Sequence, residues 1–367
     1  MTTTLPTDVL SGAHTWTPRV DAWLGATWLG QVPVQDGSVS WTTSQQVQGS
    51  LSLTVPQVAA ATEGEDVRDW TPTSLLSPLA CAGQVLHVSV TVGSTITSQS
   101  WTVPLGRFMI TEWKTGSHTI SVSGKSLLHR LEEDRLTEPT APRTGGTLAS
   151  ELRRLVGGHM GVIIDPALVG RACPSMSWGE SRIDAVYEIA DAWPARLREG
   201  ADGILYALPP DPTSEARTLT DGEDGTVIAA PRQGSRDGVY NRVVARGQDQ
   251  DDAGRPVFQA VADQTTGPLA VNGPYGTVTR FFSSPLITSQ TIAAKTARSL
   301  LASSVARQET VPVEHVPDPT LALDEAVTLV TRDAAGTSQV IRTGRVSALE
   351  IPLTWTGTAR TDVEVAQ

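Results

Sequence analysis

The sequence predicts a mainly β protein with an α+β insert, in which two small β-barrel domains flank a helix-containing middle domain. Three observations predict it. From Arg19 to about Ser126, apolar residues alternate with polar or small ones, the period of half-buried strands. From Leu148 to Val156 the period lengthens to helical spacing. After Tyr240 the alternation returns, broken once by a helical stretch at 289–307.

In chain order, residues 1–14 read as an N-terminal arm and 15–130 as the first barrel. Val20, Ala22 and Leu24 alternate, Gly25-Ala26-Thr27 turns, and Trp28-Leu29-Gly30 resumes the strand. Asp36-Gly37-Ser38 turns again ahead of Val39-Ser40-Trp41. Leu51, Leu53 and Val55 alternate until Pro56 stops them, and Glu63 to Pro72 reads as an exposed loop. Strands resume at 85–92, 101–103, 108–113 and 118–122. About seven short strands with turns between them make a barrel or sandwich.

Residues 131–142 are charged and proline-bearing, a linker. Residues 143–225 form the middle α+β domain. Its first helix carries Leu148, Leu152, Leu155 and Val156 and ends at Gly157-Gly158. A short buried strand at 161–164 follows, then a helix capped by Ser181-x-x-Asp184 and a strand at 203–208.

Residues 226–367 form the second barrel, organised around Tyr240–Thr331. A strand at 240–247, an acidic turn from Asp249 to Gly254 and a strand near Val257–Val261 precede the helix; Val311–Val316 and Asp318–Val330 follow it. Such segments bury their apolar faces only if the sheet curls over the helix or another sheet. Strands at 338–346 and 349–355 close the chain.

Composition narrows the function classes. The formal charge is −11, so a free-standing basic surface for gripping DNA is not expected, and an acidic surface repels a passing polyanion. Cys81 and Cys173 make no disulfide framework and read as reduced thiols. The first residues lack the pattern of a signal peptide, and no window approaches the ~20 apolar residues of a membrane span. A soluble protein made in a cytoplasm is the expectation.

No cofactor, metal or catalytic site is expected. Gly124-Lys125-Ser126 has the ending of a phosphate loop, but Thr119 stands where the first glycine belongs, and the strand runs straight into Gly124. Asp249-x-Asp251-x-Ala253-Gly254 imitates the front of a calcium loop, yet Ala253 and Ala260 replace two ligands. Asp249, Asp251 and Asp252 therefore read as an exposed acidic loop. The six histidines show no i, i+4 metal pair. Trp23, Trp41, Trp101 and Trp113 sit in alternating strands, where burial is the expected role.

The order of these pieces resembles the baseplate hub (hub-type minor tail) proteins of tailed bacteriophages, especially those infecting actinobacteria. The residues that carry the resemblance are Asp36–Ser40, Gly49–Val55, Leu75–Leu79, Val103–Ile110, Tyr240–Val243 and the run from Asp318 to Val330. The resemblance implies a virion protein of the tail tip, assembled in the host cytoplasm: a homotrimer whose six barrels join a sixfold tail tube to threefold tip proteins. It implies a distal tail or tail-tube protein above, the tape-measure C-terminus in the lumen, a fibre or spike below, and DNA passing without specific binding. Tyr240, Asn241 and Arg242 are its candidate ring-contact positions. Longer family members continue into a fibre, spike or hydrolase, so separate proteins are expected to bind receptors and cleave the wall. A carbohydrate- or receptor-binding module, and after it a tail-associated wall hydrolase, are the alternatives.

Overall fold

The computed structural model describes residues 5–366 except 63, 194, 210–216, 232–235, 237, 248–249, 251–253, 285–286 and 333–337. It is mainly β, with antiparallel sheets. A short helix α1 (Thr7–Ser11) leads into β1 (His14–Leu24), β2 (Thr27–Val32), β3 (Asp36–Thr42) and β4 (Gly49–Pro56). An excursion holding the two-residue strands β5 (Val58–Ala59) and β6 (Arg68–Asp69) precedes β7 (Gln84–Ser94), β8 (Ser100–Thr115) and β9 (Thr119–Ser126). The alternation read in the sequence is the burial pattern: Leu51, Leu53 and Val55 point into the core while Ser52 faces water. Gly124-Lys125-Ser126 lies inside β9, with Gly124 opposite Leu51 on one side and Ile110 on the other. These residues are ladder, not loop.

The middle unit contains α2 (His129–Glu133), α3 (Leu148–Val156), β10 (Gly161–Ile164), α4 (Arg182–Ala192), β11 (Arg196–Glu199) and β12 (Ile204–Leu208). Thr147 caps α3 by accepting the Ser150 N–H, and Ser181 caps α4 by accepting the Asp184 N–H. The helical stripe Leu148, Leu152, Leu155 and Val156 is fully buried, with Trp178, Trp193 and Val186. β12 lies between β10, parallel to it, and β11, antiparallel to it.

The chain then supplies β13 (Arg217–Thr220), β14 (Val227–Ala229), β15 (Arg242–Arg246), β16 (Gln259–Asp263), β17 (Thr279–Ser283), α5 (Gln290–Ala306), β18 (Arg307–His315), β19 (Ala326–Arg332), β20 (Gln339–Pro352) and β21 (Ala359–Ala366). Segment 240–331 departs here from the single barrel expected of it. β15, β16 and β17 form a separate three-stranded sheet covered by α5, with a core of its own. The reason is side-chain size. Ala293, Ala297 and Leu301 repeat every four residues on α5, and Ala245, Ala260 and Ala262 face them from the sheet. Small faces pack closely against each other and leave voids against Val- and Leu-lined surfaces.

β13, β14 and β18 to β21 instead join a thirteen-stranded sheet with the first seven long strands. β20 makes the connection. On one edge it pairs with β19 through residues 339–345, then with β3 through 348–352. The handover falls at a bulge between Val346 and Ala348, where the Ser347 carbonyl accepts the N–H (2.9 Å) and Oγ1 (3.2 Å) of Thr43. The bulge makes one strand of the two expected at 338–346 and 349–355, and β21 is a further strand beyond those expected. Apolar residues of both β-rich regions, from Trp16 to Val365, share one hydrophobic cluster.

Candidate assembly surface and the junctions behind it

The three candidate ring-contact residues have different environments. Asn241 is fully buried. Its Nδ2 donates to the carbonyls of Leu269 (3.0 Å) and Gly276 (2.6 Å), and its Oδ1 accepts from Val278 N–H (2.7 Å). It holds the 264–278 connection in place. Arg242 makes a bidentate pair with Asp263 across the β15–β16 ladder, at 2.6 and 2.7 Å. Tyr240 is half-buried; its N–H donates to Ser304 Oγ, and Arg280 lies 6.0 Å over its ring. Asp249, Asp251 and Asp252 lie outside the described residues.

Where the first strands meet the middle unit, a polar group is buried. Glu199, at the end of β11, accepts the backbone N–H of Leu127 (2.8 Å) and Leu128 (3.1 Å). Its own N–H donates to Gln48 Oε1, and Gln48 Nε2 donates to the Leu197 carbonyl at 2.7 Å. Burial pushes the Glu199 carboxyl up to about 7, against the opposing pull of Ser126, the two amides and Arg130. Tyr187 hydrogen-bonds the Gln46 carbonyl from the same junction, and burial raises its phenol well above the ordinary value.

A second clamp fixes residues 318–325. Arg217 on β13 donates to Asp318 (2.5 Å), Thr320 Oγ1 (2.6 Å) and Glu325 (2.9 Å). Desolvation lowers the Arg217 pKa, and the two carboxylates more than offset it, so it ends above its usual value. Arg196 pairs with Asp324, a residue at φ +60°, and Arg198 donates to the Leu323 carbonyl. The middle unit is thereby tied to the loop before β19.

A cleft of about 370 Å³ opens between these two clamps. Trp41, Leu105, Leu321, Leu323 and Ile351 form its apolar wall, and Arg198, Glu199, Asp202 and Tyr206 its polar side. On the polar side, Tyr206 O–H donates to Asp202 at 2.7 Å, and Arg198 lies over the Tyr206 ring. Among the described residues, no cluster of three or more His, Cys, Asp or Glu is arranged to hold a metal ion. His315 is buried against Thr361, and desolvation holds it below the ordinary histidine value.

Exposed aromatic area is sparse. Trp41 is buried with its indole N–H on the Leu105 carbonyl, and Trp101 and Trp113 pack against the main core. Trp23 stacks on His87 at 5.4 Å. Trp28 and Trp355 are the exposed tryptophans among the described residues. Sequence reasoning missed Glu199 and Arg217 as junction residues, because neither stands in a motif; their roles come from partners about seventy to a hundred residues away.

No family model matches the chain. A stretch of 94 residues is 32% identical to ribosomal RNA small subunit methyltransferase H of Rhizorhabdus wittichii; it covers 26% of this chain and 28% of that protein, little more than a quarter of its length. Solved structures match end to end. The 43 kDa tail protein of prophage MuSo2 from Shewanella oneidensis is 14% identical with a TM-score of 0.61, over 94% of this chain and 98% of that one. The tail protein from Neisseria meningitidis MC58 is 13% identical with a TM-score of 0.64, over 96% and 97%. Prophage tail protein gp18 from Listeria monocytogenes EGD-e is 9% identical with a TM-score of 0.53, over 95% and 94%. The fold is therefore that of phage tail proteins, through nearly its whole length.

Proposed function

We propose that the protein is a structural component of a phage tail tip, a trimeric baseplate hub ring that joins a sixfold tail tube to threefold tip proteins and surrounds the DNA channel. The observation that carries the proposal is the end-to-end likeness to tail proteins, in both directions of coverage. The thirteen-stranded sheet supports it, because β20 and β3 lock the two β-rich regions into one body. Three copies then present six similar β-rich regions to a sixfold ring. A net charge of −11 suits a wall that DNA slides past without sticking. The neighbours in this reading are a tube or distal tail protein above, a fibre or spike below, and the tape-measure end in the lumen.

Light scattering on the purified chain tests it: a mass three times 38.9 kDa is expected. A stable dimer or tetramer would count against the hub. Exposure of Trp28 and Trp355 keeps one second reading, a carbohydrate- or receptor-binding tail module. Quenching of tryptophan fluorescence by host-wall oligosaccharides, abolished by Trp355→Ala, would favour that module.

A further inference from the structure

Ala22, Leu86 and Val88 face the main core, so Asp21, Trp23 and His87 stand on the opposite, outer face of the same strands. Residues directly opposed across a ladder share a face. Across β2, β1, β7 and β8 one outer row therefore reads Gln31, Asp21, His87 and Arg107. The row beside it begins with Trp28 and Trp23 and passes to Val85, which is buried in the core of the middle unit. Trp28 is 53% exposed, yet its ring is fixed, because its Nε1 donates to Asp21 Oδ1 at 3.1 Å. Asp21 is held in turn by Arg19, whose Nε and Nη2 donate to it at 2.7 and 3.2 Å. Trp23 stacks on His87 with the rings 21° apart. An indole already hydrogen-bonded offers its ring to a ligand at little cost in side-chain entropy.

The polar row defines the rest of the ligand. Arg19 and Asp21 neutralise each other, and burial together with Arg107 holds His87 below the ordinary histidine value. Arg107 is exposed and has no carboxylate partner among the described residues, while its stem lies against Gly203 of the middle unit. The face thus presents an uncompensated guanidinium on a chain whose total charge is −11. That total repels a polyanion and Arg107 repels a cation, whereas an isolated carboxylate gains a charge-assisted bond. Hydroxyls suit the remaining groups, since Gln31 both donates and accepts and Asp21 Oδ2 accepts from Arg19 alone. From β2 to β8 the rows span about 14 Å, the length of a short oligosaccharide rather than of one ring. We infer that this face binds an acidic oligosaccharide, with one pyranose stacked on Trp28 and a uronate-type carboxylate on Arg107. The site rests on the carbohydrate reading kept above, adds its place and its charge, and is independent of the oligomeric state.

Saturation-transfer NMR on the full chain tests it, with trigalacturonate, trimannuronate and triguluronate as probes and cellotriose as the neutral control. At least one uronate trimer should bind with a Kd of about 1 mM and should bind more tightly than cellotriose. Trp28→Ala and Arg107→Gln change exposed side chains, so the thermal midpoint should hold while each weakens uronate binding about tenfold. Trp28→Phe keeps an aromatic face and should restore most of the affinity. Failure of every uronate trimer to bind overturns the site together with the carbohydrate reading. Binding that survives Trp28→Ala and Arg107→Gln but is lost in Trp355→Ala overturns this site and leaves the carbohydrate reading standing. Equal affinity for cellotriose overturns the acidic ligand.

Discussion

At Glu199 a carboxyl is buried against neutral donors, two backbone amides and the Ser126 hydroxyl; at Arg217 a guanidinium is buried against two carboxylates. Both sites join parts of the chain that are distant in sequence. Desolvation disfavours the charged form in each case. Neutral donors and the Arg130 charge compensate it only in part, so Glu199 rises to about 7, whereas two carboxylates keep Arg217 ionised throughout the ordinary pH range. The buried group of the first junction therefore titrates near neutrality, and that of the second does not.

Removing the charge from each site separates them. Arg217→Met leaves the nearly buried Asp318 without its cation and should cost about 3 kcal/mol, the lower end for breaking a buried pair because the arginine keeps some solvent contact. Urea unfolding monitored by tryptophan fluorescence measures it; a loss below about 1 kcal/mol would show that the clamp contributes little.

Glu199→Gln should behave differently. The folded-state value of about 7 lies above the ordinary 4.5, so between those values the folded chain holds a proton that the unfolded chain has released. Wild-type stability should therefore be fully present below about pH 4.5, fall as pH rises towards 7, and level off above it, with a total change of up to about 3 kcal/mol. Glutamine keeps an acceptor for one of the two amides, sets its NH2 against the other, and removes the titration. The variant's stability profile should be flatter over that window, and an unaltered slope would assign the effect to another group.

Asn241 extends the comparison to a junction held by a neutral side chain. Asn241→Ala strands the Val278 amide and two carbonyls and should cost about 1–3 kcal/mol, with faster amide exchange in 264–278 and no pH dependence. Arg242→Ala, on the adjacent residue, breaks a solvent-screened pair and should leave the unfolding midpoint unchanged within error. Equal losses at 241 and 242 would erase the distinction between internal and surface polar contacts.

Much of the local structure is legible in the residue pattern. Leu51, Leu53 and Val55 announce a half-buried strand by period alone, and Thr147 and Ser181 stand where helix starts need side-chain acceptors. The helix expected at 289–307 is α5, Gln290–Ala306. The candidate surface is less legible. Asn241 reads as a polar strand residue in the sequence, and only its three internal partners make it a staple.

By itself, the sequence determined where many of the strands and the longer helices lie, which face of several is apolar, where several caps fall, and the sign of the net charge. These are local properties, set by side-chain period and by hydrogen bonds a few residues apart. The tertiary structure alone decided that β20 leaves β19 for β3 at the Ser347 bulge, that β15 to β17 keep their own sheet under an alanine-faced helix, and that Glu199 titrates near neutrality. A strand's period specifies its buried face but not its neighbour, and a carboxyl's charge depends on the water and donors that packing leaves around it.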